Sequence, residues 1–191
     1  MRKVILHMML TLDGYVSGPN GELDWIFELN DDERNKFVFD LYSSMDGAIV
    51  GRVTYEDMEK HWPSAEKDTS GNEKDRAFAG VMNNLTKYVF SKTLEKVGWS
   101  NSILLKGDIT EEVTKLKQQS GKNIVLCGGV GIAQTFIKLG LIDEYQLIVH
   151  PCKLGKGKYL FESQEERLKL KLLDTIKFPS GIAALRYGKP E

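Results

Sequence analysis

Four short stretches of the 191-residue sequence bring together side chains that can do chemistry. In GRVTYE, residues 51–56, Gly51 lets the backbone approach a ligand and Arg52 offers a planar cationic fork suited to phosphate. Thr54 falls where a helix would begin, with its free N–H groups and positive dipole end. The plainer alternative is that Thr54 caps that helix and Arg52 pairs with a surface carboxylate. SKT, residues 91–93, supplies a hydroxyl, an ammonium and a second hydroxyl; it is either an ordinary polar loop or a contact for a ribose 2′-phosphate. LCGGVG, residues 126–131, places Gly128, Gly129 and Gly131 around Val130, ahead of a stretch with helical spacing. Glycine there admits a pyrophosphate to the backbone. In TLDGYVSGPNGELDW, residues 11–25, Asp13 either caps the turn before Gly14 or serves as an acid. A carboxyl sheltered by Tyr15 and Trp25 would have its pKa raised toward neutrality, as a proton donor requires.

Other chemistries fail on spacing. The G-x-G-x-x-G fingerprint needs a third glycine where Gln134 stands, and no acidic residue closes a second strand about 20 residues on. GKGK, residues 155–158, lacks the remainder of a P-loop. His7, His61 and His150 share no element at metal-ligand spacing, Cys127 and Cys152 form no C-x-x-C, and there is no G-x-S-x-G elbow. No metal is expected.

The elements that would hold these stretches alternate. An apolar run over 4–10 reads as a strand covered on both faces, followed by a long loop over 11–29. Asn30 is the expected N-cap of a helix carrying Phe37, Val38, Leu41, Tyr42 and Met45. A strand over 48–50 leads to a brief helix opened by Thr54, and residues 63–76 read as an exposed excursion. Further strands fall at 88–90, 103–105, 124–127 and 145–149, with helical spacing between them. At the C-terminal end, Leu168, Leu170 and Leu172 alternate with charged residues, and Pro179-Ser180-Gly181 turns the chain into a strand over 182–187. The expectation is an α/β domain spanning 1–191: three layers, α/β/α, around a mixed, mostly parallel sheet of about eight strands with a C-terminal antiparallel hairpin.

Composition narrows the partners. The 26 basic residues nearly balance 27 acidic ones, with neither a basic face for nucleic acid nor a basic amphipathic helix for membranes. The N-terminal RKVILHMML lacks a cleavage site, and no apolar run reaches the ~18 residues of a membrane span, so a cytoplasmic protein acting on a small molecule is expected.

In order and spacing, the four stretches together with GLIDEYQLIVHPCKLGKGKYLF, residues 140–161, resemble the dihydrofolate reductase-like superfamily, most of all the reductase domain of riboflavin biosynthesis proteins. The resemblance runs from Val4 to Tyr187. It implies a homodimeric NADPH-dependent reductase, similar to 5-amino-6-(5-phosphoribosylamino)uracil reductase or to a stand-alone relative reducing a pyrimidine, pterin or carbonyl compound. It implies that Gly51, Arg52 and Thr54 meet the cofactor phosphates, and that Ser91 and Lys92 meet the adenosine ribose phosphate. Gly128, Gly129, Val130 and Gly131 would meet the pyrophosphate, and Leu10 and Thr11 the nicotinamide. Thr11, Asp13, Tyr15 and Trp25 would face the substrate, with Asp13 as the proton donor. One departure concerns folate. The acidic residue that dihydrofolate reductases carry beyond the tryptophan is matched here by Asn30, with Glu28 two positions early. The alternative function is a non-catalytic nucleotide-binding module on the same fold.

Overall fold

The computed structural model describes residues 1–161 and 167–190. Ten strands and five helices follow in the order β1 Val4–Thr11, β2 Tyr15–Ser17, α1 Asp32–Ser43, β3 Met45–Gly51, α2 Arg52–Ala65, α3 Glu73–Asn84, β4 Thr86–Phe90, β5 Ser102–Leu105, α4 Ile109–Gln118, β6 Asn123–Gly128, α5 Val130–Lys138, β7 Glu144–His150, β8 Lys158–Tyr159, β9 Lys171–Lys177 and β10 Ala183–Gly188. A single 3-10 turn, Asp24–Ile26, interrupts the loop after β2. Eight strands form one sheet in the order β5-β4-β3-β6-β1-β7-β10-β9. Its first six are parallel, while β10 runs antiparallel to both β7 and β9. The mixed sheet and its terminal hairpin are therefore as expected.

Alternation along the inner strands builds two apolar layers. Val4, Leu6, Met8 and Leu10 of β1 join Ile124 and Leu126 of β6 and Ile49 of β3 under Val113, Leu116, Ala133 and Phe136 of α4 and α5. Ile5, Val125, Ala48 and Val50 face the other way, under Val38, Tyr42, Tyr55 and Met82 of α1, α2 and α3. Strands buried on both faces need apolar residues at successive positions, which is why β1 and β6 read as continuous apolar runs. A smaller cluster, Ile148, Phe178, Ile182 and Ala184, seats the hairpin against Phe37 of α1.

Several details differ from the sequence reading. The N-cap of α1 is Asp31, not Asn30: its carboxylate accepts the Arg34 N–H at 2.9 Å and the Ser180 N–H at 2.9 Å, so one side chain both starts the helix and anchors the hairpin turn. Helix α2 begins at Arg52, ahead of Thr54, and continues through Pro63 to Ala65. Proline so near the end removes only a last-turn bond. With α3 starting at Glu73, the expected excursion shrinks to the 66–72 connection. The leucines near β9 do not form one buried face: β9 is the sheet's edge, Leu168, Leu172 and Leu173 are exposed, and Leu170, ahead of the strand, packs in part against the core. Pairing of β2 with β8, with Tyr15 stacked on Tyr159 at 3.9 Å between ring centroids, was not foreseen. No helix among the described residues is long and apolar enough to cross a membrane.

Candidate active site

The carboxyl ends of the parallel strands lie along one side of the sheet, where open α/β sheets bind ligands. The sheet divides there. β1 pairs with β6 only from Val4↔Ile124 to Leu6↔Leu126, yet it stays paired with β7 as far as Thr11↔His150. Beyond Leu6 the β1–β6 ladder is open, and the 11–25, 51–56 and 126–131 stretches gather around the opening.

Two helices start on the β6 side of it. Three of the five helices have side-chain N-caps, Asp31, Asn72 and Asp108. The other two, α2 after Gly51 and α5 after Gly129, have none, so their first N–H groups are not satisfied by a cap. They are neighbours: a Cβ added to Gly128 would lie 2.6 Å from Thr54 Cγ2, and one added to Gly51 would lie 3.4 Å from Ile132 Cγ2. Gly129 needs its freedom for another reason, a backbone φ of +87°. A Cβ on Gly131 would meet nothing within 4 Å. Thr54 is therefore a packing residue and not a cap, whereas Arg52 takes the plainer option, bonding Glu56 of its own helix at 3.0 Å.

Next to the α5 start lies a cavity of about 180 Å³ bordered by Ser91, Lys92, Lys106, Gly131, Ile132 and Thr135. Ser91 Oγ accepts the N–H groups of Leu94 and Thr93 at 3.0 and 3.2 Å, which holds the SKT turn in shape. Lys106 was missed in the sequence. It stands at the end of β5, and applying to that strand the rule used for its neighbours would have found it. Two uncapped helix starts, glycines that bring them together and a lysine-bordered cavity alongside fit a nucleotide with its phosphates.

On the β1 side, Leu10 is buried in the apolar layer, leaving its backbone at the opening. The Thr11 hydroxyl donates to Asp13 Oδ1 at 2.7 Å and accepts the Tyr15 N–H at 3.0 Å. Asp13 also accepts N–H groups from Leu154 at 3.2 Å and Gly155 at 2.8 Å, tying the β1–β2 turn to the loop before β8. The expectation of a raised pKa is overturned. Partial burial pushes the Asp13 carboxyl up, but the bonds from Thr11, Gly155 and Leu154 outweigh it and hold the group below its ordinary value. The carboxylate is ionised and fully engaged. Tyr15 sits against Tyr159, its hydroxyl 3.4 Å from the Gly155 carbonyl.

Trp25 is buried, edge-on to His150 at 5.0 Å between centroids. His7 and His150 lie on the α1 face of β1 and β7. The His7 Nδ1 is 3.0 Å from the Tyr42 hydroxyl. Burial first, and the Arg34 guanidinium second, lower both histidines to about 4, so both rings are neutral. Sequence reasoning passed over this group. His150 ends a strand at the ligand-binding side, but the burial of Arg34 on α1 is decided by tertiary packing.

The sheet order, the layers and the divided carboxyl edge define a dihydrofolate reductase-like protein. Within that class the chain belongs to the RibD C-terminal domain family, which it matches over residues 2–184. The Bacillus subtilis protein YyaP is 36% identical over 186 residues, spanning 97% of this chain and 94% of YyaP. The crystal structure of a Thermotoga maritima diaminohydroxyphosphoribosylaminopyrimidine deaminase/5-amino-6-(5-phosphoribosylamino)uracil reductase aligns at a TM-score of 0.68 and 18% identity, over 99% of this chain and 57% of that one. Dihydrofolate reductase from Enterococcus faecalis, complexed with NADP(H), aligns at 0.63 and 12% identity, over 99% and 97%. Similarity to these two solved structures, at 18% and 12% identity, establishes the fold alone.

Proposed function

We propose that the protein is an NADPH-dependent reductase of a pyrimidine, pterin or carbonyl substrate. The observation that carries this reading is the pair of uncapped helix starts brought together at the divided edge of the sheet. In it, the first turns of α2 and α5 and the glycine turns that lead into them, Gly51, Arg52, Thr54 and Gly128, Gly129, Val130 and Gly131, hold the phosphates. Arg52 leaves Glu56 to do so, and Ser91, Lys92 and Lys106 hold the ribose phosphate. Leu10 and Thr11 present backbone to the nicotinamide, and Trp25 closes the substrate side. The dihydronicotinamide, when bound, supplies the hydride. Positioning is the chain's main contribution. Asp13, ionised and engaged by three donors, is a positioning residue that fixes the loop over the opening, and the proton comes from water. The protein acts as a homodimer in this reading, which sedimentation velocity tests.

Quenching of tryptophan fluorescence by added NADPH is the direct experiment. Saturable binding, tighter for NADPH than for NADH, is expected; no saturable binding below millimolar cofactor overturns the reading. One observation favours the alternative of a non-catalytic nucleotide-binding module: bonds from Thr11, Leu154 and Gly155 hold the Asp13 carboxyl below its ordinary value. That alternative predicts cofactor binding without NADPH oxidation by any member of a carbonyl, pterin and pyrimidine panel.

A further inference from the structure

One segment bridges the two sides of the open β1–β6 ladder. Residues 151–160 leave β7 and run through β8, and they begin on the β1 side. There the Cys152 carbonyl accepts the Leu12 N–H at 2.9 Å, and Asp13 accepts the N–H groups of Leu154 and Gly155. The segment then pairs with β2, Tyr15 opposite Tyr159 and Ser17 opposite Lys158. A Cβ on Gly157 would run into the Ser17 carbonyl oxygen, so the GKGK stretch, no P-loop, is where a missing side chain lets two backbones meet. It ends on the β6 side. Leu160 is wholly buried in the apolar layer that holds Ala133 and Phe136 of α5, and Gln134 of α5 donates its side-chain N–H to the Tyr159 carbonyl at 2.7 Å. Residues 151–160 are therefore a strap fastened on both sides of the opening.

Gln134 occupies the position at which a G-x-G-x-x-G fingerprint would carry its third glycine. Where that fingerprint brings bare backbone against a strand, this chain has a side chain that reaches out of the helix to the strap. Among the described residues it makes the one hydrogen bond between α5 and the strap. Four positions after Val130, it lies on the same helix face, one turn beyond the uncapped start of α5. Acceptors supplied there by a ligand would complete the first turn and stiffen it. The contacts continue on the far side. The Tyr159 ring stacks on Tyr15, whose N–H bonds the Thr11 hydroxyl, which in turn donates to Asp13. A continuous set of contacts thus joins the start of α5 to the β1–β2 turn, while the middle of the strap, with Lys153, Lys156 and Lys158, is exposed. Exposed segments held by few bonds open locally at less cost than the whole fold.

We infer that Gln134 is a positioning residue that passes occupancy of the α5 start to the strap, so that cofactor bound on the β6 side orders the substrate side of the opening before substrate arrives. The inference rests on the reductase reading, and it deepens that reading by giving the site an order of assembly.

Limited trypsin digestion of the intact protein, with fragments assigned by mass, tests it without a substrate. Cleavage after Lys153, Lys156 and Lys158 reports the open population of the strap when opening is fast relative to cleavage. Cleavage after Lys67, in the connection between α2 and α3, is the internal control for global effects. Saturating NADPH should slow strap cleavage in the wild type by at least about fivefold relative to the control, the lower end of ordinary coupling between sites. In Gln134→Ala, and in Gln134→Glu, which sets a carboxylate against the Tyr159 carbonyl, the slowing should fall below about twofold at saturating NADPH. Variants that are cleaved faster, yet are protected by NADPH as strongly as the wild type, would show that Gln134 only anchors the strap and would overturn the inference. NADPH binding to the wild type without protection of the strap overturns it as well and leaves the reductase reading standing. No saturable NADPH binding, followed in parallel by fluorescence, sinks that reading and the inference with it.

Discussion

At the scale of single residues, two buried or engaged charges both make stability rise with pH, in different windows and for opposite reasons. Asp13 is held below its ordinary value by three donors, so its contribution to stability is complete above the unfolded-state pKa and is lost as pH falls through the folded value. Asp13→Asn should therefore lower the melting temperature at neutral pH and flatten the acid limb of the stability curve, while NADPH affinity, measured by fluorescence, stays near wild type. A large loss of cofactor binding would show that Asp13 does more than anchor the loop. Lys87 acts in the same direction at alkaline pH, through a penalty on its charged form and not a gain. Wholly buried, it donates to the carbonyls of Met82 and Asn83 at 3.3 and 2.8 Å and sits 4.2 Å from the Trp99 ring centroid. Desolvation lowers its pKa from 10.5 to about 8. Between those values the unfolded chain binds the extra proton, so stability gains with rising pH, by on the order of 2–3 kcal/mol across the window. Comparing urea midpoints of wild type and Lys87→Met at pH about 7 and about 10 isolates this contribution: the difference should move in favour of wild type at the higher pH, and a constant difference would refute it.

At the scale of elements, the junction of α2 and α5 is held together by what one glycine lacks. A methyl at Gly128 would press on Thr54 Cγ2 at 2.6 Å and Cβ at 3.0 Å, and neither atom can swing away freely so close to the helix backbone. Gly128→Ala should destabilise by about 1–3 kcal/mol in urea unfolding and weaken NADPH binding by spreading the two helix starts. Gly131→Ala meets open space and serves as the control. It should leave stability unchanged and still weaken NADPH if the pyrophosphate lies against it. A second junction depends on Asp31, where loss of the α1 cap and of the bond to Ser180 should cost about 1–2 kcal/mol in Asp31→Ala, by the same measurement. These junctions also mark how far the sequence was legible. Strand ends, glycine clusters and the C-terminal hairpin follow from local pattern, so the gathering of GRVTYE, SKT and LCGGVG at the carboxyl ends of neighbouring strands could be read from the sequence. The choice of Asp31 over Asn30 could not, because it is made by Ser180, 149 positions away. The burial of Arg34, His7 and His150 likewise depends on how α1 lies across β1 and β7. An arginine among polar neighbours at the start of a helix carries no local sign that its guanidinium is inside.

At the scale of the whole molecule, one continuous sheet lies between two helical layers, and β1 and β6 contribute residues to both apolar clusters, Leu6 and Leu126 to one and Ile5 and Val125 to the other. Neither layer can lose its packing without exposing the far face of the same central strands, which couples the layers energetically and predicts one cooperative transition, as for most domains of this length. The tryptophans report from different places: Trp25 over the β1 end near His150, Trp62 and Trp99 within the α2–α3 layer. Unfolding in urea, followed by tryptophan fluorescence in wild type and in Trp25→Phe and by far-ultraviolet circular dichroism, should give superimposable curves with a single midpoint for each variant. Two separated transitions, with the Trp25 signal lost first, would instead mean that the loop closing the cleft and the hairpin beside it unfold apart from the sheet. In that case a ligand held at the β1 end of the cleft would stabilise the earlier transition only.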